Sequence, residues 1–386
     1  MENRQPQLRF PEFSTTLDNF KLDDVVTFKS GGTPSKENES YWNGDIPWIS
    51  ATSMQGKYYS KSDRTLTEEG LKKGSKLALK GSLLLLVRGS MLFNKIPIGI
   101  TQRDVAFNQD LKSLIVNDKS NTEYLYQWFS SQENLILDKV VGTGIGAGKL
   151  DTEDMKNLKL NLPSLPEQTK IATFLTAVDE KLTALKQKKT LLEQYKKGVM
   201  QQIFSQELRF KDDNGNDFSD WEKKKLGEIS RITTGSSNRI DSNLDGEFTF
   251  FDRSQDIRSS NRFLFDTEAI IVPGEGQEFI PKYFIGKFDL HQRTYAVMNF
   301  KNQNGKFLFY SISYNSNHLN SHAVGSTVKS LRLPMFEKMP VNLPILEEQI
   351  KIANFLSAID EKINQCQGQI EKTQVWKKGL LQQLFV

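Results

Sequence analysis

Apolar side chains return at every seventh residue along two stretches of this chain. In the first, Ile171, Val178, Leu185, Leu192 and Val199 mark one register, with Leu175, Leu182 and Ile203 three or four places beyond some of them. In the second, Ile352, Ile359, Cys366 and Leu380 hold that register, and Leu356, Ile363, Ile370 and Leu384 hold the other. Such a period is a heptad seam, the mark of helices that bury one stripe against a partner helix. Each stretch follows a proline-punctuated segment, Leu162-Pro163 or Leu343-Pro344, and then continues without proline, which reads as the start and body of a long helix. Elsewhere, short alternating or β-rich runs at 46–50, 83–87, 248–251, 269–272, 295–300 and 307–312 predict strands, so the fold reads as mixed α and β.

The two heptad stretches are copies. Residues 162–204 and 343–385 are identical at 20 of 43 positions at a constant offset of 181. Self-similarity of this kind marks a duplicated structural unit. Fainter echoes precede it: 22–31 resembles 226–235, Leu8-Arg9-Phe10 is repeated as Leu208-Arg209-Phe210, and Gly144 is matched by Gly325. Between those edges the copies do not align by sequence. Four segments follow: 1–161 as a first domain, 162–207 as a first spacer helix, 208–342 as a second domain, and 343–386 as a second spacer helix.

Connectivity sets the direction of pairing. A helix of about 35 residues is roughly 50 Å long, so a parallel pair would place the end of the first helix that far from the start of the second. An antiparallel pair brings the two points together and lets a compact domain sit between them. The expected class is α+β, with two mixed α/β domains at opposite ends of a long antiparallel two-helix coiled-coil spacer and a pseudo-twofold internal repeat. The expected pairing residues are Ile171, Leu175, Val178, Leu182, Leu185, Ile352, Leu356, Ile359, Ile363 and Ile370.

Composition narrows the chemistry. With 386 residues, 37% hydrophobic and 25% charged, the chain has the makeup of two or three globular domains rather than of a disordered segment. The aliphatic run 83–87 is too short to span a bilayer, and the start MENRQPQLRF lacks the apolar core of a signal peptide, so a cytoplasmic location is expected. One cysteine, Cys366, and three histidines (His291, His318, His322) cannot assemble a Cys/His zinc pattern, and no metal site is expected. Cys366 falls on the seam and reads as a small core residue. A net charge of +4 permits an acidic partner without requiring one.

Catalytic motifs are not found. The run Gly142-Thr-Gly-Ile-Gly-Ala-Gly148-Lys149-Leu150 resembles a phosphate-cradling loop, but Thr143 stands where its first glycine belongs and Leu150 where its magnesium-binding hydroxyl belongs. Its counterpart from Gly325 to Ser330 keeps no Gly-Lys pair, so a flexible backbone loop is the better reading. Asp179-Glu-Lys181 and Asp360-Glu-Lys362 resemble a nuclease fragment, yet they lie early in heptad helices and read as solvated helix face. No adenosylmethionine loop and no Asn-Pro-Pro-aromatic string occurs, and the chain is not expected to be an enzyme.

The doubled strings Leu-Pro-x-Leu-x-Glu-Gln-x-x-Ile-Ala at 162–172 and 343–353 resemble those of the specificity subunits of type I restriction-modification systems. So do the helix ends Lys196-Lys-Gly198 with Gln201-Gln-x-Phe204, and Lys377-Lys-Gly379 with Gln382-Gln-x-Phe385. Gly44-Asp-Ile-Pro-Trp-Ile-Ser50, and the segment 22–34 with its Ser-Gly-Gly-Thr-Pro, resemble the family's target recognition domains. The second domain departs from both, with Gly246-Glu-Phe-Thr-Phe-Phe-Asp252 and Gly235-Ser-Ser-Asn238.

The resemblance implies a non-catalytic DNA-binding subunit. Each of two recognition domains would read one half of a bipartite, asymmetric target in double-stranded DNA, with the helices as spacer. It also implies docking of methyltransferase subunits, two in number, that carry adenosylmethionine, and of restriction/translocase subunits that use ATP and Mg; this chain would bind no cofactor and no membrane. A rod of roughly 50 Å would hold the domains about 15 base pairs apart, so a gapped target is expected.

Residues that could address DNA are Arg88, Ser90, Lys95, Arg103, Gln109 and Lys149 in the first domain. Their counterparts in the second are Arg253, Arg258, Arg262, Gln277, Gln292, Arg293 and Lys329. Arginine and glutamine can engage purine edges bidentately, although phosphate contact is the commoner use of such residues. A rival reading makes the chain a non-catalytic coiled-coil tether presenting two protein-binding heads, which would show no salt-dependent binding to duplex DNA.

Overall fold

In the computed structural model, residues 5–144 and 146–385 are described. The chain divides into two compact units: one holds the residues up to Lys186 together with those from Gly368 onward, the other is Gln187–Gln367. Two long helices, Leu165–Phe204 and Leu346–Leu384, each contribute to both.

The first unit is built on a five-stranded sheet in the order Val26–Ser30, Leu111–Val116, Leu83–Leu86, Ile98–Thr101, Tyr58–Tyr59. Leu83, Leu84, Leu85 and Leu86 are all fully buried, as expected for an apolar run in a strand covered on both faces. One cover is the helix Thr122–Ser131, whose start is capped by Asn121 accepting the Tyr124 amide and which buries Tyr124, Leu125, Trp128 and Phe129. A second sheet sets Trp42–Ile49 parallel to Val105–Phe107. A small three-stranded sheet joins Val141–Gly142, Gly148–Lys149 and Arg88–Gly89.

The second unit carries a six-stranded sheet in the order Arg231–Thr234, Thr294–Met298, Phe265–Pro273, Lys282–Leu290, Phe248–Phe251, Arg258–Ser260. Its first four junctions run antiparallel, antiparallel, antiparallel and parallel, the same sequence of senses as in the first unit. The register matches as well. Ser30 lies opposite Lys112 where Thr234 lies opposite Tyr295, and Leu86 lies opposite Leu111 where Pro273 lies opposite Thr294. The copies that sequence could not align are therefore aligned by backbone pairing.

The run 307–312 is helical, not a strand. It lies in the helix Gly305–Tyr314, which Asn304 caps by accepting the Phe307 amide, just as Asn121 caps the matching helix of the first unit. Its aromatic, β-branched composition suits burial on either element, and the cap with tertiary packing decides.

The doubled Glu-Gln pair explains the sequence repeat physically. Glu167 is buried and accepts from Arg9 Nε and Nη2 at 2.7 and 2.6 Å; Glu348 is buried and accepts from Arg209 Nε and Nη2 at 3.2 and 2.8 Å. Gln168 donates to the Pro163 carbonyl and accepts the Asn121 amide, and Gln349 donates to the Pro344 carbonyl and accepts the Asn304 amide. In each copy the glutamine thus pins the start of a long helix to the N-cap of the covering helix, while the glutamate ties it to the arginine of the Leu-Arg-Phe echo.

Asp179 and Asp360 are bonded rather than solvated. Asp179 accepts from Lys377 at 2.5 Å and Gln127 at 2.8 Å, and Asp360 from Lys196 at 2.6 Å and Tyr310 at 2.6 Å. Ile171, Leu175 and Val178 lie in the first unit's core with Leu380, Leu384 and Phe385. Ile352, Leu356 and Ile359 lie in the second's with Val199, Ile203 and Phe204. Leu182, Ile370 and Cys366 are also buried, while Leu185 and Ile363 are half-buried.

Candidate nucleic-acid interface

In each unit the end of one strand, Val26–Ser30 or Arg231–Thr234, meets the turn that leads into its neighbour, Leu111–Val116 or Thr294–Met298, and that approach demands glycine. A Cβ on Gly31 would stand 2.3 Å from the Asn108 carbonyl oxygen, and one on Gly235 would stand 1.7 Å from that of Leu290. The close contact delivers a polar side chain onto an equivalent glutamine. Thr33 Oγ1 donates to Gln109 Oε1 at 2.6 Å, and Gln292 Nε2 donates to Asn238 Oδ1 at 2.5 Å. By the matched registers, Gln109 and Gln292 are the same position in the two units. Both are exposed and held in place.

The neighbouring positions differ in charge. Stepping along the same registers pairs Arg88 with Glu275 and Asp110 with Arg293. The backbone agrees: Leu150 donates to the Val87 carbonyl as Leu331 does to that of Gly274, and Gly89 and Gly276 share positive φ of 151° and 146°. Arg88 is exposed and lies opposite Lys149 in the small sheet, with Ser90 opening the next short helix. Arg88, Ser90, Gln109 and Lys149 thus share one edge of the first unit. Arg103 instead donates to the Asp45 carbonyl, and Lys95 lines a cavity with Met54, Tyr59 and Tyr126.

In the second unit Arg253 Nη1 donates to Glu275 at 2.6 Å, and Arg293 Nη1 donates to both oxygens of the same carboxylate at 2.9 and 3.0 Å. Lys329 lies opposite Gly276, and Gln277 follows it. Arg262 donates to Ser237 at 2.8 Å and approaches the buried Asp289 at 3.6 Å. Arg258 is half-buried, and its Nε has no hydrogen-bond partner among the described residues.

Burial pushes the Glu275 carboxyl up, but Arg293 and Arg253 more than offset it and hold it below the usual carboxylate range. Burial lowers His291, which accepts the Arg293 amide on Nδ1 at 3.0 Å. Burial would raise Asp252, but the Ser254 hydroxyl and amide, with Arg239 and His291, bring it below its ordinary value.

Sequence reasoning missed Glu275, His291, Thr33 and Asn238 as site residues. Thr33 and Asn238 lie in the quoted strings at 30–34 and 235–238, but their partners Gln109 and Gln292 come alongside only through nonlocal strand pairing, as do those of Glu275. The Gly142–Lys149 run, of which Ile145 lies outside the described residues, folds as a hairpin, with Thr143 Oγ1 donating to the Ala147 carbonyl. No cluster of metal-ligating side chains, and no helix long and apolar enough to cross a membrane, occurs among the described residues.

Residues 15–194 and 218–373 match the family described as type I restriction modification DNA specificity domain. The specificity subunit of type I restriction enzyme MjaIX from Methanocaldococcus jannaschii is 28% identical over 229 residues, 56% of this chain. The match spans only about half, 52%, of that relative's length. The MjaVIII specificity subunit of the same organism is 24% identical, over 98% of this chain and 93% of its own. The crystal structure of a type I restriction-modification S subunit from M. genitalium shares the fold, with TM-score 0.67 at 17% identity over 99% of both chains.

Proposed function

The chain belongs to the type I restriction modification DNA specificity family, and from that premise we propose that it is the sequence-specific DNA-binding subunit of a type I restriction-modification complex. Each unit reads one half of a bipartite, asymmetric target in double-stranded DNA. The observation that carries this reading is the matched pair of exposed, braced glutamines, Gln109 and Gln292, beside residues of exchanged charge. A repeated frame with unlike chemistry at one edge is what two readers of different half-sites require.

The recognition domains are residues 1–161 and 208–342, and the spacer helices 162–207 and 343–386. The helices pair antiparallel as a coiled coil; in support, the start of each packs into a core with the end of the other, as in the bonds Lys377 to Asp179 and Lys196 to Asp360. The helices also dock methyltransferase subunits, which bring adenosylmethionine, and the complex is completed by restriction subunits that use ATP and Mg. This chain selects the site and performs no reaction. Base and phosphate contacts come from Arg88, Ser90, Lys95, Arg103, Gln109 and Lys149 on one side, and from Arg253, Arg258, Arg262, Gln277, Gln292, Arg293 and Lys329 on the other.

The test is co-expression with the neighbouring methyltransferase subunit in a methylation-free bacterium, with modified adenines mapped by single-molecule sequencing. A new motif of two specified blocks with a gap is expected. No new methylation, given a methyltransferase that co-purifies with the chain, would overturn the reading in favour of a protein-binding tether.

A further inference from the structure

We propose that Glu275 is a specificity-determining positioning residue of the second unit, which holds Arg253 and Arg293 as a fixed pair directed at a guanine edge in duplex DNA. The inference rests on the reading that the units bind DNA, and it assigns a role to a side chain that is neither cationic nor an amide.

The geometry is that of a rooted anchor. Glu275 is 18% exposed, whereas the Arg253 and Arg293 side chains are 51% and 55% exposed, so the carboxylate lies inside and the guanidinium groups face out. Its backbone is tied on both sides. Glu275 pairs with Ser330 across a short ladder, Gly274 donates to the Arg293 carbonyl, and Gly276 adopts a φ of 146° that side chains rarely take. The anchor and one of its arginines are therefore tied through the backbone as well as through their side chains. Among the described residues each guanidinium is bonded to the carboxylate through Nη1, and its Nη2 and Nε donors are left for a ligand.

Two features point to base reading rather than phosphate binding. A carboxylate between two arginines reduces their summed charge to one, which weakens attraction to phosphates in any sequence. In return it fixes forked donors that otherwise swing on flexible stems, and guanine offers two adjacent acceptors, O6 and N7, to such a fork. The first unit has the reverse pattern at the same positions, with Arg88 on the strand and Asp110 at the turn, and there Asp110 accepts from Asn108. The clamp is thus a property of one half-site only.

The test uses the complex with its methyltransferase, comparing wild type with Glu275→Gln and Arg293→Lys by methylome mapping and by duplex binding across a salt series. Glu275→Gln should leave the first block of the target unchanged and admit other bases at a guanine of the second, with discrimination there reduced about tenfold or more. Affinity for unrelated duplex should rise, with a steeper salt dependence. Arg293→Lys keeps the charge and removes the fork, so it should relax the same block; it carries the test if the glutamine variant fails to fold. An unchanged second block in both folded variants, or an equal change in both blocks, would overturn the inference. A wild-type complex that neither methylates nor binds DNA would instead overturn the DNA reading on which it stands.

Discussion

Replacing Glu348 with alanine tests the physical meaning given to the doubled Glu-Gln motif. The carboxylate is fully buried and accepts three bonds, from Arg209 Nε at 3.2 Å, Arg209 Nη2 at 2.8 Å and Trp221 Nε1 at 3.1 Å. Removing one partner of a buried ion pair costs about 3–5 kcal/mol, because the other charge is left uncompensated. Arg209 is 23% exposed and keeps a bond to the Ser219 carbonyl at 2.8 Å, which softens the loss. A destabilisation of about 3 kcal/mol follows, or roughly 6–12 °C in the melting of a unit of this size. Glu348→Gln should lose about half as much, since its amide oxygen still accepts from Arg209 or Trp221. The assay is thermal and denaturant unfolding of the full chain in its complex, with a double-mutant cycle against Arg209→Ala. A loss below about 0.5 kcal/mol, or no coupling in the cycle, would refute the view that the Glu pins the long helix to its unit.

Three further outcomes are expected. Gly235→Ala would place a methyl 1.7 Å from the Leu290 carbonyl oxygen, so it should destabilise the second unit by about 1–3 kcal/mol and cost methylation at one block first, as read by unfolding and methylome mapping. Gln292→Ala should relax only the second block and Gln109→Ala only the first; swapped or shared effects in sequenced methylomes would break the assigned equivalence. Burial lowers the folded-state pKa of His291, so the unfolded chain takes up the proton first and stability present above about pH 6.5 is lost as pH falls towards the folded value. His291→Asn, the residue found at the matching Asn108, should flatten that part of the stability profile in denaturant titrations at stepped pH.

The scaffold was legible because its constraints are local. A heptad stripe, a proline before a helix and a repeated Glu-Gln pair can each be read along the chain, and Ile171, Leu175, Ile352 and Leu356 do lie in the two cores. The interface was legible only in its cations and amides. Glu275 acquires its place through a ladder to Ser330 and a turn that brings Arg293 alongside, contacts made across 55 and 18 residues of sequence respectively. The strand reading of 307–312 failed for a related reason: Phe307, Leu308 and Ile312 suit a buried strand as well as a buried helix, and the deciding cap, Asn304, lies outside the run. Asp179 and Asp360 read as solvated along the chain because their partners, Lys377 and Lys196, belong to the other long helix.

The equivalence of the two units bears on the form of the target. Two identical reading edges related by an internal twofold would select a palindrome, as symmetric dimers do. Here the frame repeats in strand order, pairing sense and register over five strands, while the edge inverts: an exposed arginine and a turn aspartate in the first unit become a clamped glutamate and a turn arginine in the second. Even the shared glutamine is braced differently, by a hydroxyl that donates to it in one unit and by an amide oxygen that accepts from it in the other. On the proposed function, a repeated frame with opposed chemistry at matched positions predicts unlike half-sites, and it places the difference in a few side chains of that frame.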